Sequence, residues 1–382
     1  MMLLLLALAA FSFLAQACVT PPPTPGTFTI FNNNAVFFPP ANYTSWRTIY
    51  GRTLQLPDES LLMTWEDYPP EPPTVYFPIY RSIDGGATWS EYSRVHDTMN
   101  GWGLRYQPFL YQLDQAWGKY AVGTILMAGA SVPSDLSQAY IDLYASTDNA
   151  KTWQFVSHIA YGKGPETVTN GNAAIWEPYL MSYNGKMICF FSDQRDPAHA
   201  QKLVAVTTSD LVTWSADFDV VVYPTYADRP GMATVAHIES TNQYVMTYEY
   251  CGSQQCRAYY KVSSSPLTFA SVQGLPIVSN DTSAIAPVGS PYVIWTLHPN
   301  RTDGSGLIIM NGASREEVFV NEDTAHTNGW KRVNVGQWSS YSRSLRIIQV
   351  AGQKRLLLGN GGNMVSDSSC NWVVCGVVPI PT

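Results

Sequence analysis

The chain has 382 residues, of which 46% are apolar and only 13% charged, so it can bury a large core and is not intrinsically disordered. Its formal charge is −7 and no Lys/Arg cluster occurs, which argues against nucleic acid or an anionic membrane as partner. Rings are abundant, with 23 Tyr and 12 Trp; such a surplus suits a polysaccharide cleft, where sugars stack on aromatic faces, and is equally ordinary in a β-sheet protein.

Met1 to Ala17 is an apolar run ending in Ala15-Gln16-Ala17, a small-x-small cleavage pattern. Residues 1–17 therefore read as a signal peptide, and the mature protein as secreted. A lipoprotein site at Cys18 is the alternative, although Ala15 is not the Leu such a site prefers. No later stretch is apolar for long enough to cross a membrane. Residues 18–26 form a Pro/Thr-rich linker, and residues 27–382 are expected to make one domain.

That domain opens with a strand pair, Thr48 to Leu56 and Ser60 to Trp65, followed by Ser82-Ile83-Asp84-Gly85-Gly86-Ala87-Thr88-Trp89. The form, S-x-D-x-G-x-T-W, is that of an Asp box. It recurs from Ser146 to Trp153, more loosely from Ser209 to Trp214, and faintly from Ser264 to Phe269 and before Trp330. The closing rings Trp89, Trp153, Trp214, Phe269 and Trp330 lie 64, 61, 55 and 61 residues apart. A unit of that length holds four strands, one blade of a β-propeller, and no long amphipathic helix interrupts the pattern.

Five boxes account for five blades. A sixth hairpin, Arg343 to Val350 and Lys354 to Leu358, has no box after it, so Thr27 to Phe38 is predicted to supply the outer strand of the last blade and close the ring. The predicted fold class is all-β, a six-bladed propeller. The boxes read as fold staples rather than sites: each Asp accepts backbone N–H groups within its own turn, and each Trp plugs a gap between blades.

The stretch Ala174 to Asp193 is the most informative. Two hydrophobic runs, Pro178 to Tyr183 and Lys186 to Ser192, flank Asn184-Gly185, a dipeptide that favours a type I′ hairpin turn. The hairpin returns Asp193 and Arg195 to the edge where Glu177 begins it. By the same topology Arg47, Glu66, Asp67, Arg105, Arg229, Glu249, Tyr341 and Arg343 fall at one mouth of the ring. Carboxylates converging among rings are what cleavage of a glycosidic bond requires: one acid protonates the leaving oxygen, and a carboxylate attacks or activates water. Glu177 and Glu249 stand out because each lies in aromatic company, Trp176-Glu177-Pro178-Tyr179 and Tyr248-Glu249-Tyr250. For Arg229 and Arg343, binding of sugar hydroxyls and structural salt bridges both remain open.

The cysteines suggest two local disulfide loops, Cys251 with Cys256 and Cys370 with Cys375, each with a four-residue gap, whereas Cys189 reads as a buried free thiol. No zinc-ligand spacing is present, and no metal or cofactor is expected. Asn42, Asn280 and Asn300 each begin an Asn-x-Thr sequon.

The motifs A-x-W-E-P at Ala174 to Pro178, D-R-P-G-M at Asp228 to Met232, T-Y-E-Y at Thr247 to Tyr250 and S-Y-S-R-S at Ser340 to Ser344 resemble glycoside hydrolase family 93. The boxes, which unrelated propellers share, resemble those of sialidase-like propellers. The family resemblance covers nearly the whole mature chain. It implies a monomeric exo-1,5-α-L-arabinanase, releasing arabinobiose from linear arabinan with retention of configuration. It also places the catalytic glutamates at Glu177, as nucleophile, and Glu249, as acid/base. It implies a supporting role for Tyr341, beside Trp176, Asp193, Arg229 and Arg343 as candidate substrate contacts. A true sialidase would carry an early arginine motif, of which Gly51-Arg52-Thr53-Leu54 is a poor match.

Overall fold

The computed structural model describes residues 30–164, 173–322, 329–364 and 371–382. The expected signal peptide and linker, and Cys370, lie outside the described residues. The described chain forms six four-stranded antiparallel sheets arranged as the blades of a propeller, with one short 3-10 turn, Phe269–Ser271, as the helical element among those residues.

Blade 1 begins with the hairpin Thr48–Gln55 and Leu61–Asp67, blade 2 with Leu104–Gln112 and Ile125–Ser131, and blade 3 with Ile175–Tyr183 and Lys186–Asp193. The corresponding hairpins of blades 4, 5 and 6 are Arg229–Ile238 with Gln243–Cys251, Tyr292–Leu297 with Gly306–Asn311, and Ser344–Val350 with Gln353–Asn360. Two more strands complete each of blades 1 to 5 in chain order. Blade 6 is completed by Val373–Val378 and, outermost, by Phe31–Phe37, so the ring closes through the N-terminal strand as expected.

These strands are apolar on both faces because both faces are covered. Leu61–Asp67 is buried at every position, and each seam between neighbouring blades carries its own hydrophobic cluster. Leu54 and Leu110 meet between blades 1 and 2, Phe109 and Cys189 between 2 and 3, and Phe190 and Met246 between 3 and 4. Val245 and Ile308 meet between 4 and 5, Ile309 and Leu358 between 5 and 6, and Leu357 and Met63 between 6 and 1. At about 1.5–3 kcal/mol per fully buried side chain, the seams are the main apolar contribution to the fold.

The Asp84 and Asp148 turns join the third and fourth strands of their blades, at the end of the ring opposite Glu177. Asp84 accepts the Thr88 N–H at 2.9 Å and Asp148 the Thr152 N–H at 2.9 Å. Trp153 and Trp214 donate their indole N–H groups to Ser93 and Ser157 of the preceding blade, at 3.1 and 3.0 Å. The Asn184-Gly185 turn has φ of +46° and +72°, as a type I′ turn requires.

One expected disulfide forms, Cys251–Cys256, and Cys189 is a buried free thiol. The other is corrected: Cys375 is also free and buried. It lies within Val373–Val378, paired to Asn34 on one side and Gly359 on the other, and its sulfur points into the seam toward the Gly86 carbonyl at 3.5 Å. Strand pairing and burial, rather than spacing, fix where that sulfur goes.

Candidate active site

Each blade opens its first strand with a residue held at positive φ: Tyr50, Gln107, Glu177, Met232, Ser290 and Ser342, between +35° and +63°. Such a conformation is uncommon away from glycine and costs on the order of 1–3 kcal/mol. In blades 1 to 4 the strand pairing shifts register at this point, which bends the strand and re-aims its side chains. The turned-out N–H groups find acidic partners. Gln107 donates to Glu66 at 2.9 Å, Met232 to Glu177 at 2.9 Å, and Ser290 to Glu249 at 2.8 Å. The bulges therefore both point the carboxylates and hydrogen-bond them.

Glu177 is 8% exposed, and Ser192 Oγ donates to the same Oε2 that binds Met232, at 2.6 Å. Burial, and next the negative charge of Glu249, hold its carboxyl well above the usual range. Burial raises Glu249 as well, but the Ser290 N–H and the Arg229 guanidinium pull it back. Each carboxyl thus raises the cost of ionising the other, as expected of an acid and a carboxylate that share one site. Cys251 Sγ lies 3.5 Å from Glu249 Oε1; the sulfur is in a disulfide and has no hydrogen to donate, so this is a packing contact. For the same reason the grouping of Glu249, Cys251 and Cys256 within 4.8 Å does not offer three metal ligands.

Tyr341 is half-buried beside the pair, its hydroxyl held neutral by desolvation and by the charge of both glutamates. Trp176 and Arg229 are tied together by a residue that sequence reasoning missed. The Gln201 Oε1 accepts Trp176 Nε1 at 3.1 Å, Gln194 Nε2 at 3.1 Å and Arg229 NH2 at 3.2 Å, while its own amide donates to the Pro230 carbonyl at 2.9 Å. Ser192 and Gln201 sit in no motif; the one signal the sequence offered was the hairpin register that sets Ser192 opposite Trp176. Gly231 is needed for room, since a Cβ there would lie 2.8 Å from Gln201 Nε2 and 3.4 Å from Glu177 Oε2.

Other expected contacts are turned to structural work. Asp193, 2% exposed, is held at 2.8 and 3.0 Å by the Nε and NH2 of Arg195. Arg105 grips Glu71 with two bonds, and Arg47 bonds the Pro39 and Pro40 carbonyls. Asp67 accepts Trp65 Nε1 at 3.0 Å and the Tyr43 hydroxyl at 3.2 Å. Arg343 does not reach the mouth: it is 1% exposed, and its guanidinium bonds the carbonyls of Glu316, Glu317, Gln337 and Trp338 at 3.0–3.3 Å. Arg52, likewise buried, bonds Ser342 and stacks over Tyr50 at 4.0 Å. A cleft of about 470 Å³ that includes Gln255, Arg257 and Val288 lies beside the disulfide loop and contains neither glutamate.

No protein-family model matches the chain, and no curated protein does. Among solved structures, the chain is 43% identical to the GH93 α-L-arabinofuranosidase of Fusarium graminearum in complex with arabinobiose, with a TM-score of 0.87 over 92% of this chain and 98% of that one. It is 42% identical to the α-L-arabinanase of Penicillium chrysogenum complexed with arabinobiose, with a TM-score of 0.85 over 93% of this chain and 99% of that one.

Proposed function

The chain belongs to glycoside hydrolase family 93, and from that membership we propose that it is a secreted, monomeric exo-arabinanase that releases arabinobiose from the non-reducing end of linear α-1,5-L-arabinan with retention of configuration. The observation that carries this reading is the pair of carboxyls at the mouth, Glu177 buried and Glu249 half-buried, each held by the turned-out N–H of the next blade, in a chain so similar to two enzymes that hold arabinobiose.

Retention needs two displacements. One carboxylate attacks the anomeric carbon while the other, protonated, gives its hydrogen to the leaving oxygen; the second then takes a proton from the water that frees the sugar. Glu177 is assigned as the attacking carboxylate, steadied when ionised by the Ser192 hydroxyl and the Met232 N–H, and Glu249 as the proton carrier. A sialidase would need three arginines to hold a substrate carboxylate, and Arg52 and Arg343 are bound to protein oxygens instead. Asn42, Asn280 and Asn300 are all exposed, which suits N-glycosylation of an exported protein.

Product analysis on linear 1,5-arabinan tests the reading. Arabinobiose of retained configuration is expected from the wild type, with Glu177→Ala and Glu249→Ala each lower by on the order of 10³ or more. No release by a folded wild type would sink it. Azide separates the roles by the configuration of its product: with an activated aryl arabinoside, Glu249→Ala is expected to give the glycosyl azide of retained configuration and Glu177→Ala that of inverted configuration. The opposite pair of outcomes would reverse the assignment.

A further inference from the structure

A third carboxyl shares the mouth. Glu66 ends the second strand of blade 1 opposite Ile49, just as Glu249 ends that of blade 4 opposite Gly231. In each case the residue opposite immediately precedes the positive-φ residue of its strand, Tyr50 or Met232. In each case, too, the carboxyl accepts the N–H of the following blade's positive-φ residue, Gln107 or Ser290. Blades 1 and 4 of a six-bladed ring face one another, so Glu66 is the counterpart of Glu249 across the mouth.

If Glu66 only stitched blade 1 to blade 2, the bond from Gln107 would be enough. Its other oxygen is instead aimed at Tyr68, whose hydroxyl donates at 2.7 Å. Tyr68 packs with Tyr50, Met232 and Tyr341 in the aromatic wall beside the glutamate pair. Glu66 is 2% exposed, and neither of these two donors brings a positive charge.

We propose that Glu66 is a positioning residue of the hydrolytic site: it fixes Tyr68 in the mouth wall and, as a third carboxyl facing Glu177, adds a negative charge that opposes full ionisation of the Glu177/Glu249 pair. The inference rests on the reading of that pair as catalytic. The groups facing Glu66 are Tyr50, Arg52 and Tyr68 of its own blade, Tyr106 of blade 2, Glu177 of blade 3 and Tyr341 of blade 6. The tyrosines stay neutral in the working range. Burial pushes Glu66 up to about 7. Below that pH it is neutral. Above it, its charge opposes ionisation of the pair and keeps the acid protonated further into alkali.

Glu66→Gln keeps the shape and removes the charge. On arabinan, the basic limb of kcat/KM is expected to move to lower pH by about half a unit or more, with the acidic limb unmoved. Tyr68→Phe should raise KM by about threefold or more through loss of the anchoring bond. An unmoved basic limb in Glu66→Gln overturns the proposal. Should that variant fail to fold, carbon-13 NMR of the Glu177 carboxyl in a Glu249→Gln background decides: a second titration step near pH 7 supports the action of Glu66, and a single step refutes it. A wild type inactive on arabinan would remove the functional reading and leave the NMR result standing.

Discussion

Gly231 leaves no room for a methyl group, and the reason is functional geometry rather than backbone conformation. A Cβ there would press on Gln201, which ties Trp176 to Arg229, and would touch Glu177 and Ser192. Gly231→Ala is expected to lower kcat/KM about 10- to 100-fold, with a melting temperature close to that of the wild type; steady-state kinetics beside a thermal melt checks both. The opposite pattern, intact turnover in an unstable protein, would mean that the crowding is relieved without disturbing the carboxyls. The placement of Glu177 and Glu249 at one mouth was legible in the sequence because the topology fixes where a strand begins and ends. Arg343 was misread for the complementary reason. Its place at a strand start is local information, whereas the carbonyls of Glu316 and Glu317 that capture its side chain come from another blade. Nor did sequence disclose the positive-φ residues, since Tyr, Gln, Glu, Met and Ser share no side-chain feature that announces such a backbone.

Among the elements, the Asp84 and Asp148 turns illustrate how a carboxylate can be prominent and still lie far from the mouth. Asp148 accepts the Thr152 N–H and hydroxyl and the Ser146 hydroxyl, at the far end of the ring from Glu177. Asp148→Ala should lower the melting temperature by about 2–4 °C and leave kcat unchanged, as calorimetry and arabinan assays would show. A loss of activity without a loss of stability would contradict that division. These turns, and the Asn184-Gly185 hairpin, were readable because their determinants lie within a few residues of one another. The state of Cys375 was not, because it depends on which way a doubly paired strand sends its side chain.

For the molecule as a whole, buried acids at the mouth set the pH dependence of stability. Burial raises Glu66 from its usual 4.5 to about 7 and Asp67 from 3.8 to about 7, and raises Glu177 in the same direction. The folded protein thus holds protons that the unfolded chain releases, so stability is greatest below about 4.5 and is lost as pH rises through about 7. The lowered values of Asp148 and Asp210, at about 2, act in the opposite sense at lower pH, but these groups are nearly all in solvent and count for little. Melting temperatures measured from pH 4 to 8 should therefore be highest near pH 4 to 4.5 and fall as pH rises through about 7, and Glu66→Gln should flatten that decline; a curve that rises toward pH 8 would show that the mouth carboxyls are already ionised. Removal of residues through Phe37 should likewise abolish cooperative melting, because Val373–Val378 would lose its outer partner. That pairing also imposes an order in time. The strand that a ribosome makes first among these elements waits for the one it makes last, so blade 6 cannot exist on any nascent chain shorter than about Val378. Every prematurely terminated product is an unclosed arc, with bare strand edges for a protease or another arc to seize.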